Sequence, residues 1–255
     1  MTNPSTPIAL VTGASRGLGH STALHLAQHG HDIILTYNTQ QAQAATTVAQ
    51  IEALGRKAVA LQLDVADSRR FADFAAQVRT ALQTQWKRTS FDVLVNNAGT
   101  GTHASLMDTT EAQFDDLVNV HFKGVFFLTQ KLLPLLADSG RIVNVSTGLT
   151  RFALPGYSAY ASMKGAVEVM TRYMAKELGP RGIAVNTVAP GAIATDFGGG
   201  AVRDNAQLNA FVASQTALGR VGEADDIGAM IASLVGSGNR WVNAQRIEVS
   251  GGMLI

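Results

Sequence analysis

Short apolar runs alternate with longer stretches of helical spacing from one end of this chain to the other. No other feature limits its fold as much. The runs fall at residues 8–12, 32–37, 58–63, 92–96, 141–146, 183–188 and 246–249. Segments such as IALV, DVLV and RIVNV carry almost no polar face. Strands of that kind need burial on both sides, a condition met in a parallel sheet covered by helices. Helical patterns occupy 17–29, 40–54, 68–83, 111–136, 157–178 and 224–235 between them. Parallel neighbours require a crossover, and right-handed crossovers place helices on both sheet faces. The prediction is an α/β fold with a doubly wound parallel sheet of about seven strands.

At 255 residues the chain lies near the upper size of one domain, and a hydrophobic fraction of 46% supplies a large core. No internal repeat or long linker divides it, so residues 1–255 are expected to form a single domain. A net charge of +1 gives neither nucleic acid nor a membrane surface an electrostatic reason to bind. The stretch 124–136 is broken by Thr129, Gln130, Lys131 and Pro134 and falls short of a membrane span. The start, MTNPSTPIALV, lacks the charged beginning and long apolar core of a secretory signal. Having no cysteine rules out disulfides, a thiol nucleophile and thiolate metal sites. His20, His25, His29, His31 and His103 form no ligand constellation, so no metal is expected. Together these features predict a soluble, cytoplasmic protein.

The first apolar run passes directly into Thr12-Gly13-Ala14-Ser15-Arg16-Gly17-Leu18-Gly19 and then into a helix. Glycines there permit a tight turn and close backbone approach to a diphosphate. The free amides and dipole of the helix N-terminus hold the anion. The spacing is G-x-x-x-G-x-G rather than the common G-x-G-x-x-G. Its place between the first strand and the first helix marks it as the dinucleotide-binding turn of a Rossmann-type fold. An acidic residue ending the second strand would accept the ribose hydroxyls of NAD. Here that strand ends Leu35-Thr36-Tyr37-Asn38-Thr39, without a carboxylate. Arg16 within the turn can contact a phosphate, which favours NADP(H) over NAD(H). A merely solvated arginine is the other reading.

Tyr160 and Lys164 stand four residues apart in Tyr160-Ala161-Ser162-Met163-Lys164. On a helix they share a face. An ammonium beside a phenol favours the phenolate, so Lys164 is expected to lower the Tyr160 pKa from its usual value of about 10. A proton donor and acceptor of that kind serves redox chemistry at a carbonyl or alcohol carbon. The same spacing also arises on ordinary amphipathic surfaces.

Taken with Asp64 after the third strand, NNAG at 96–99, Pro190-Gly191 followed by Thr195, and GRVGEADDI at 219–227, these motifs give a clear likeness. From Ile8 to its C-terminus the chain resembles the short-chain dehydrogenase/reductase family. The resemblance implies that Tyr160 protonates a carbonyl oxygen, or deprotonates the alcohol in reverse, while Lys164 holds the nicotinamide ribose. It places Gly13, Ser15, Arg16, Gly17, Leu18 and Gly19 at the diphosphate, and Tyr37, Asn38 and Thr39 where a 2′-phosphate would lie. Asp64, with Val65, would face the adenine, unless Asp64 only caps the following helix. Asn97, Ala98 and Gly99 would line the adenosine side of the groove, with Asn96 bracing its strand. Pro190, Gly191, Ile193 and Thr195 would seat the nicotinamide. A substrate lid at 195–218, hinged at Gly198-Gly199-Gly200, and a homotetramer assembled through 111–136 and 157–178 are also implied.

Two positions depart from the family pattern. The substrate-orienting serine usually lies thirteen residues before the tyrosine, where this chain has Thr147. Threonine keeps the hydroxyl but adds a methyl and stiffens χ1. Ser146 is the alternative, although strand alternation points it away from Thr147. The relay asparagine of a V-N-x-K-G-V-F setting is replaced by His121. His121 either takes over the relay, adding pH sensitivity near 6.5, or packs the helix bend. The expected function is NADPH-dependent reduction of a ketone or aldehyde to an alcohol, reversibly. A 3-oxoacyl thioester reductase is the alternative. A remote one is an NADPH-binding sensor or scaffold without turnover.

Overall fold

The computed structural model describes residues 6–255. Seven strands, β1 (Ile8–Val11), β2 (Asp32–Tyr37), β3 (Ala58–Gln62), β4 (Phe91–Asn96), β5 (Leu136–Val145), β6 (Ala184–Pro190) and β7 (Arg246–Val249), form one sheet. Their order is β3-β2-β1-β4-β5-β6-β7, and each neighbouring pair is parallel. The connecting helices are α1 (Gly17–Gln28), α2 (Gln41–Ala53), α3 (Phe71–Ala81), α4 (Glu111–Leu117), α5 (Gly124–Leu132), α6 (Ser158–Leu178), α7 (Ala201–Asp204), α8 (Ala206–Ser214) and α9 (Ala224–Val235). The expected doubly wound architecture is the one observed.

Alternation along the strands divides the core into two layers. Ala9 and Val11 of β1 join Ala23 and Leu26 of α1, Ile51 of α2, and Ile227 and Ile231 of α9. Ile8 and Leu10 point the other way, into a layer with Phe71 and Phe74 of α3, Leu128 of α5 and Ala175 of α6. α9 lies directly on α1, because Gly228 leaves room for Ser21, whose Oγ a Cβ there would strike.

The chain runs outward from β1 to β3 and then returns to place β4 on the free side of β1. That reversal opens a crevice at the carboxyl ends of β1 and β4, where ligands bind in open α/β sheets. Among the described residues no helix is long and apolar enough to cross a membrane.

Two expected elements differ. The single helix foreseen over 111–136 is α4, a π-helical stretch Val118–Lys123, α5 and a 3-10 turn Leu133–Leu135. Gly124 follows the π stretch because its Cα lies against the Val65 carbonyl, leaving no space for a Cβ. Leu136 is already extended, at φ −85° and ψ 127°, so the strand expected from residue 141 begins there. Pro134 in the preceding turn prevents the helix from continuing. Within 195–218 two short helices, α7 and α8, were not foreseen.

Candidate active site

The glycine turn is built from three sides. Gly13 and Gly17 have φ of +64° and +58°, the left-handed region that glycine adopts freely. A Cβ on Gly13 would lie 2.8 Å from Ala98 Cα, so the turn can approach β4 only as glycine. Thr12 Oγ1 accepts from the amides of Asn97 (2.9 Å) and Ala98 (3.0 Å). Asn97 Nδ2 donates back to the carbonyls of Thr12 (2.8 Å) and Gly13 (3.2 Å). The Asn97 side chain, expected to line the adenosine groove, is therefore committed to holding the turn. Asn96 braces the sheet as expected, donating to Asn144 Oδ1 at 2.8 Å and Thr129 Oγ1 at 3.0 Å.

The amides of Gly13 and Ala14 are taken by Thr36. Those of Ser15, Arg16, Gly17 and Leu18 stand at the opening of α1. A helix N-terminus with an arginine and without a Cβ barrier fits a dinucleotide diphosphate. Arg16 is half exposed and lies 3.6 Å from Asp196, which also pairs with Arg203. At the end of β2, Tyr37 is half-buried while Asn38 and Thr39 are exposed. Asp64 is exposed and accepts from the Ala66 amide at 2.9 Å. The following turn is capped by Asp67 instead. On the far side Gly191 passes so close to Ser250 that a Cβ would sit 2.9 Å from its Cα. Ile193 pairs with Gly222, and Thr195 lies beside Gly17.

Tyr160, Lys164, Thr147 and His121 are all buried at the other end of the crevice. Thr147 Oγ1 accepts from the Leu149 amide at 3.3 Å, leaving its own hydrogen free to donate. Ser146 points away and bonds Glu168 at 2.7 Å, as strand alternation requires. Lys164 Nζ donates to the Val145 carbonyl at 2.7 Å and lies 5.8 Å from the centre of the Tyr160 ring.

The electrostatics correct one expectation. Burial raises the Tyr160 pKa above its ordinary value; the Thr147 side chain opposes the rise and does not overcome it. Lys164 does not bring the phenol down. Burial also lowers the pKa of its own ammonium to about 8, which still leaves it charged at neutral pH. His121 corrects a second. Burial, followed by the Lys164 charge, holds its pKa at about 3, so it stays neutral across the physiological range and supplies no pH sensitivity. Its Nε2 donates to the Thr100 carbonyl at 2.7 Å, which leaves Nδ1 a buried acceptor without a partner. The ring meets Tyr160 edge-on at 5.1 Å and fits only because residue 99 is glycine; a Cβ there would lie 2.8 Å from Cε1.

Phe197 escaped the sequence reading. Its ring centre lies 5.8 Å from that of Tyr160, seated over Gly101, where a Cβ would come within 2.9 Å. The available signal was an aromatic residue just before the three glycines. Tyr157 also lines the site, edge-on to His103 at 4.9 Å.

Comparison with known proteins places this arrangement. A family model described as enoyl-(acyl carrier protein) reductase matches residues 13–254. A 3-oxoacyl-[acyl-carrier-protein] reductase of Staphylococcus aureus is 38% identical over 250 residues, covering 97% of this chain and 98% of that protein. Among solved structures, a promiscuous reductase that catalyses keto-reduction at C1 during lugdunomycin biosynthesis superposes with a TM-score of 0.93. It is 38% identical, with 98% of each chain covered. An angucycline C-6 ketoreductase with bound NADP gives a TM-score of 0.92 at 33% identity, covering 97% of this chain and 95% of the other. With its glycine turn, its buried tyrosine–lysine pair and these relatives, the chain belongs to the short-chain dehydrogenase/reductase family, as an NADP(H)-dependent oxidoreductase.

Proposed function

We propose that the protein reduces a ketone or aldehyde to an alcohol, reversibly, with Tyr160 as proton donor. The observation that carries this reading is the buried Tyr160 phenol beside a Thr147 hydroxyl whose hydrogen is free. NADPH, when bound, supplies the hydride. Ser15, Arg16, Gly17 and Leu18 hold the diphosphate, Gly13 and Gly19 shape the turn that lets it approach, and Tyr37, Asn38 and Thr39 meet the 2′-phosphate. Asp64, Val65, Ala98 and Gly99 border the adenosine, while Pro190, Gly191, Ile193 and Thr195 seat the nicotinamide. Thr147 donates to the carbonyl oxygen, Tyr160 transfers the proton to it, and Lys164 stabilises the developing negative charge. His121 acts as a neutral acceptor: its free Nδ1 can take a hydrogen bond from a water leading to Lys164.

A neutral phenol with a raised pKa is a proton donor, so the direction of its shift suits reduction. A ketone substrate is favoured over a carrier-bound thioester because Arg203, beside the lid, already pairs with Asp196 and Asp204. A phosphate-bearing arm would have to displace those carboxylates. The thioester remains the second reading because of the Staphylococcus aureus relative. The test is NADPH oxidation with isatin, diacetyl and acetoacetyl-CoA. Turnover of the first two, with acetoacetyl-CoA far slower, is expected; binding of NADPH without oxidation by any of them would refute an enzymatic role.

The chain is read as one catalytic domain in which 195–218 forms a lid, supported by the reach of Phe197 to Tyr160. Exposed Phe126 and Phe127 on α5, with Val169 and Tyr173 on α6, support assembly into a homotetramer through those helices. Sedimentation at micromolar concentration would show it. A chain without cysteine suits the reducing cytoplasm.

A further inference from the structure

The catalytic face of α6 continues one turn past Lys164. Tyr160, Lys164 and Glu168 stand at i, i+4 and i+8, one above the other. Glu168 is largely buried, and its single oxygen Oε1 gathers three donors: Ser146 Oγ at 2.7 Å, Thr150 Oγ1 at 2.7 Å and Arg246 Nε at 2.8 Å. Arg246 reaches onward from β7, donating through Nη2 to the Thr147 carbonyl at 3.2 Å and through Nη1 to Glu248 Oε2 at 2.9 Å. Glu248 in turn takes Arg151 in a two-point bridge at 2.7 and 2.8 Å. Arg151 closes the outer end on the carbonyls of Met253 and Leu254.

Residues on both sides of Thr147 are thus held, along with its own carbonyl. Ser146 and Thr150 hang from one carboxylate oxygen, and Arg246 fixes the Thr147 backbone between them. Alternating cations and anions make the network neutral as a whole, so it adds no net charge beside the phenol. Charge-assisted bonds of this length are directional. They leave the Thr147 hydroxyl, which accepts from the Leu149 amide, with its hydrogen to offer to the site. A loop after a strand would otherwise let that hydroxyl wander, and misplacement by about 1 Å can cost as much as a hundredfold in rate.

We infer that Glu168 and Arg246 are positioning residues that fix Thr147 for proton delivery. The inference rests on the roles given to Thr147 and Tyr160 above. Neither residue touches the reacting atoms.

The test is a double-mutant cycle on isatin reduction. Glu168→Gln, which keeps the shape and removes the charge, should lower kcat roughly tenfold with the NADPH dissociation constant unchanged. Arg246→Lys, a second perturbation of the same bracket, should do likewise while retaining the charge. Thr147→Ala should lower kcat by about a hundredfold on its own. In the Thr147→Ala background, Glu168→Gln and Arg246→Lys should have almost no further effect, because no hydroxyl remains to be placed. If each lowers kcat by the same factor with and without Thr147, the bracket acts elsewhere and the inference fails. If Thr147→Ala leaves kcat unchanged, the role of Thr147 itself falls, and the inference with it.

Discussion

Lys164 carries a cost to stability that can be measured apart from catalysis. Its ammonium is buried, forms no salt bridge among the described residues, and donates to the Val145 carbonyl at 2.7 Å. Bringing its pKa from 10.5 to about 8 corresponds to about 3 kcal/mol of destabilisation at neutral pH. Lys164→Met removes that penalty and leaves the Val145 carbonyl unpaired, at a cost of about 1–2 kcal/mol. The variant, without cofactor, should therefore be more stable than the wild type at pH 7 by about 1–2 kcal/mol, or roughly 3–5 °C in Tm. The sign follows from proton linkage: the folded pKa is depressed, so the unfolded chain binds more protons between about pH 8 and 10.5. Wild-type stability rises relative to the variant across that window, and the order reverses between about pH 9 and 10. Thermal melts of both proteins from pH 7 to 10.5, followed by circular dichroism, read the difference directly. A variant less stable at pH 7, or a difference constant with pH, would refute the assignment of a buried, unpaired ammonium.

Tyr160→Phe should reduce turnover by about a thousandfold or more while leaving NADPH binding, measured by fluorescence titration, nearly intact. Tyr37→Asp places a carboxylate at the end of β2 and should shift the NADPH-to-NADH preference in kcat/KM about tenfold or more toward NADH. His121→Asn should retain most of the activity, and the kcat profile between about pH 6 and 7 should be the same in both proteins, since His121 is already neutral there. A wild-type inflection in that range that the variant lacks would contradict the burial of His121.

The central strands were legible because both faces are buried, which leaves runs of β-branched and apolar residues. β2 and β7 fall where the alternation put them. The start of β5 did not, since Ala137, Asp138, Ser139 and Gly140 carry no strand pattern and bulge, with Ser139 at φ +61°, between Leu136 and Arg141, which pair with β4. The π stretch at Val118–Lys123 was equally hidden; it follows from the contact between Gly124 and Val65, which are remote in sequence. In the site, Tyr160 and Lys164 could be read from their helical spacing once the glycine turn and the other motifs stood beside it. The direction of the phenol's shift could not, because it depends on how deeply the fold buries the ring. Phe197 reaches Tyr160 through a loop whose path no periodicity encodes. Glu168 was one helical turn from being found: the step of four that links Tyr160 to Lys164 leads to it next.

The place of β4 beside β1 has a mechanical consequence. Three strands lie on one side of this junction and four on the other, and among the described residues the ladder joining them is three residue pairs long, Ala9↔Val93 to Val11↔Val95. A dinucleotide seated at the carboxyl end of that junction, as proposed above, would touch the Gly13 turn on one half and the residue 98–99 segment on the other. It would act as a staple across the shortest ladder of the sheet. Saturating cofactor at a hundred times its dissociation constant adds about 2.7 kcal/mol. Part of that gain should appear as slower amide hydrogen exchange in β1 and β4, well away from the reacting carbon.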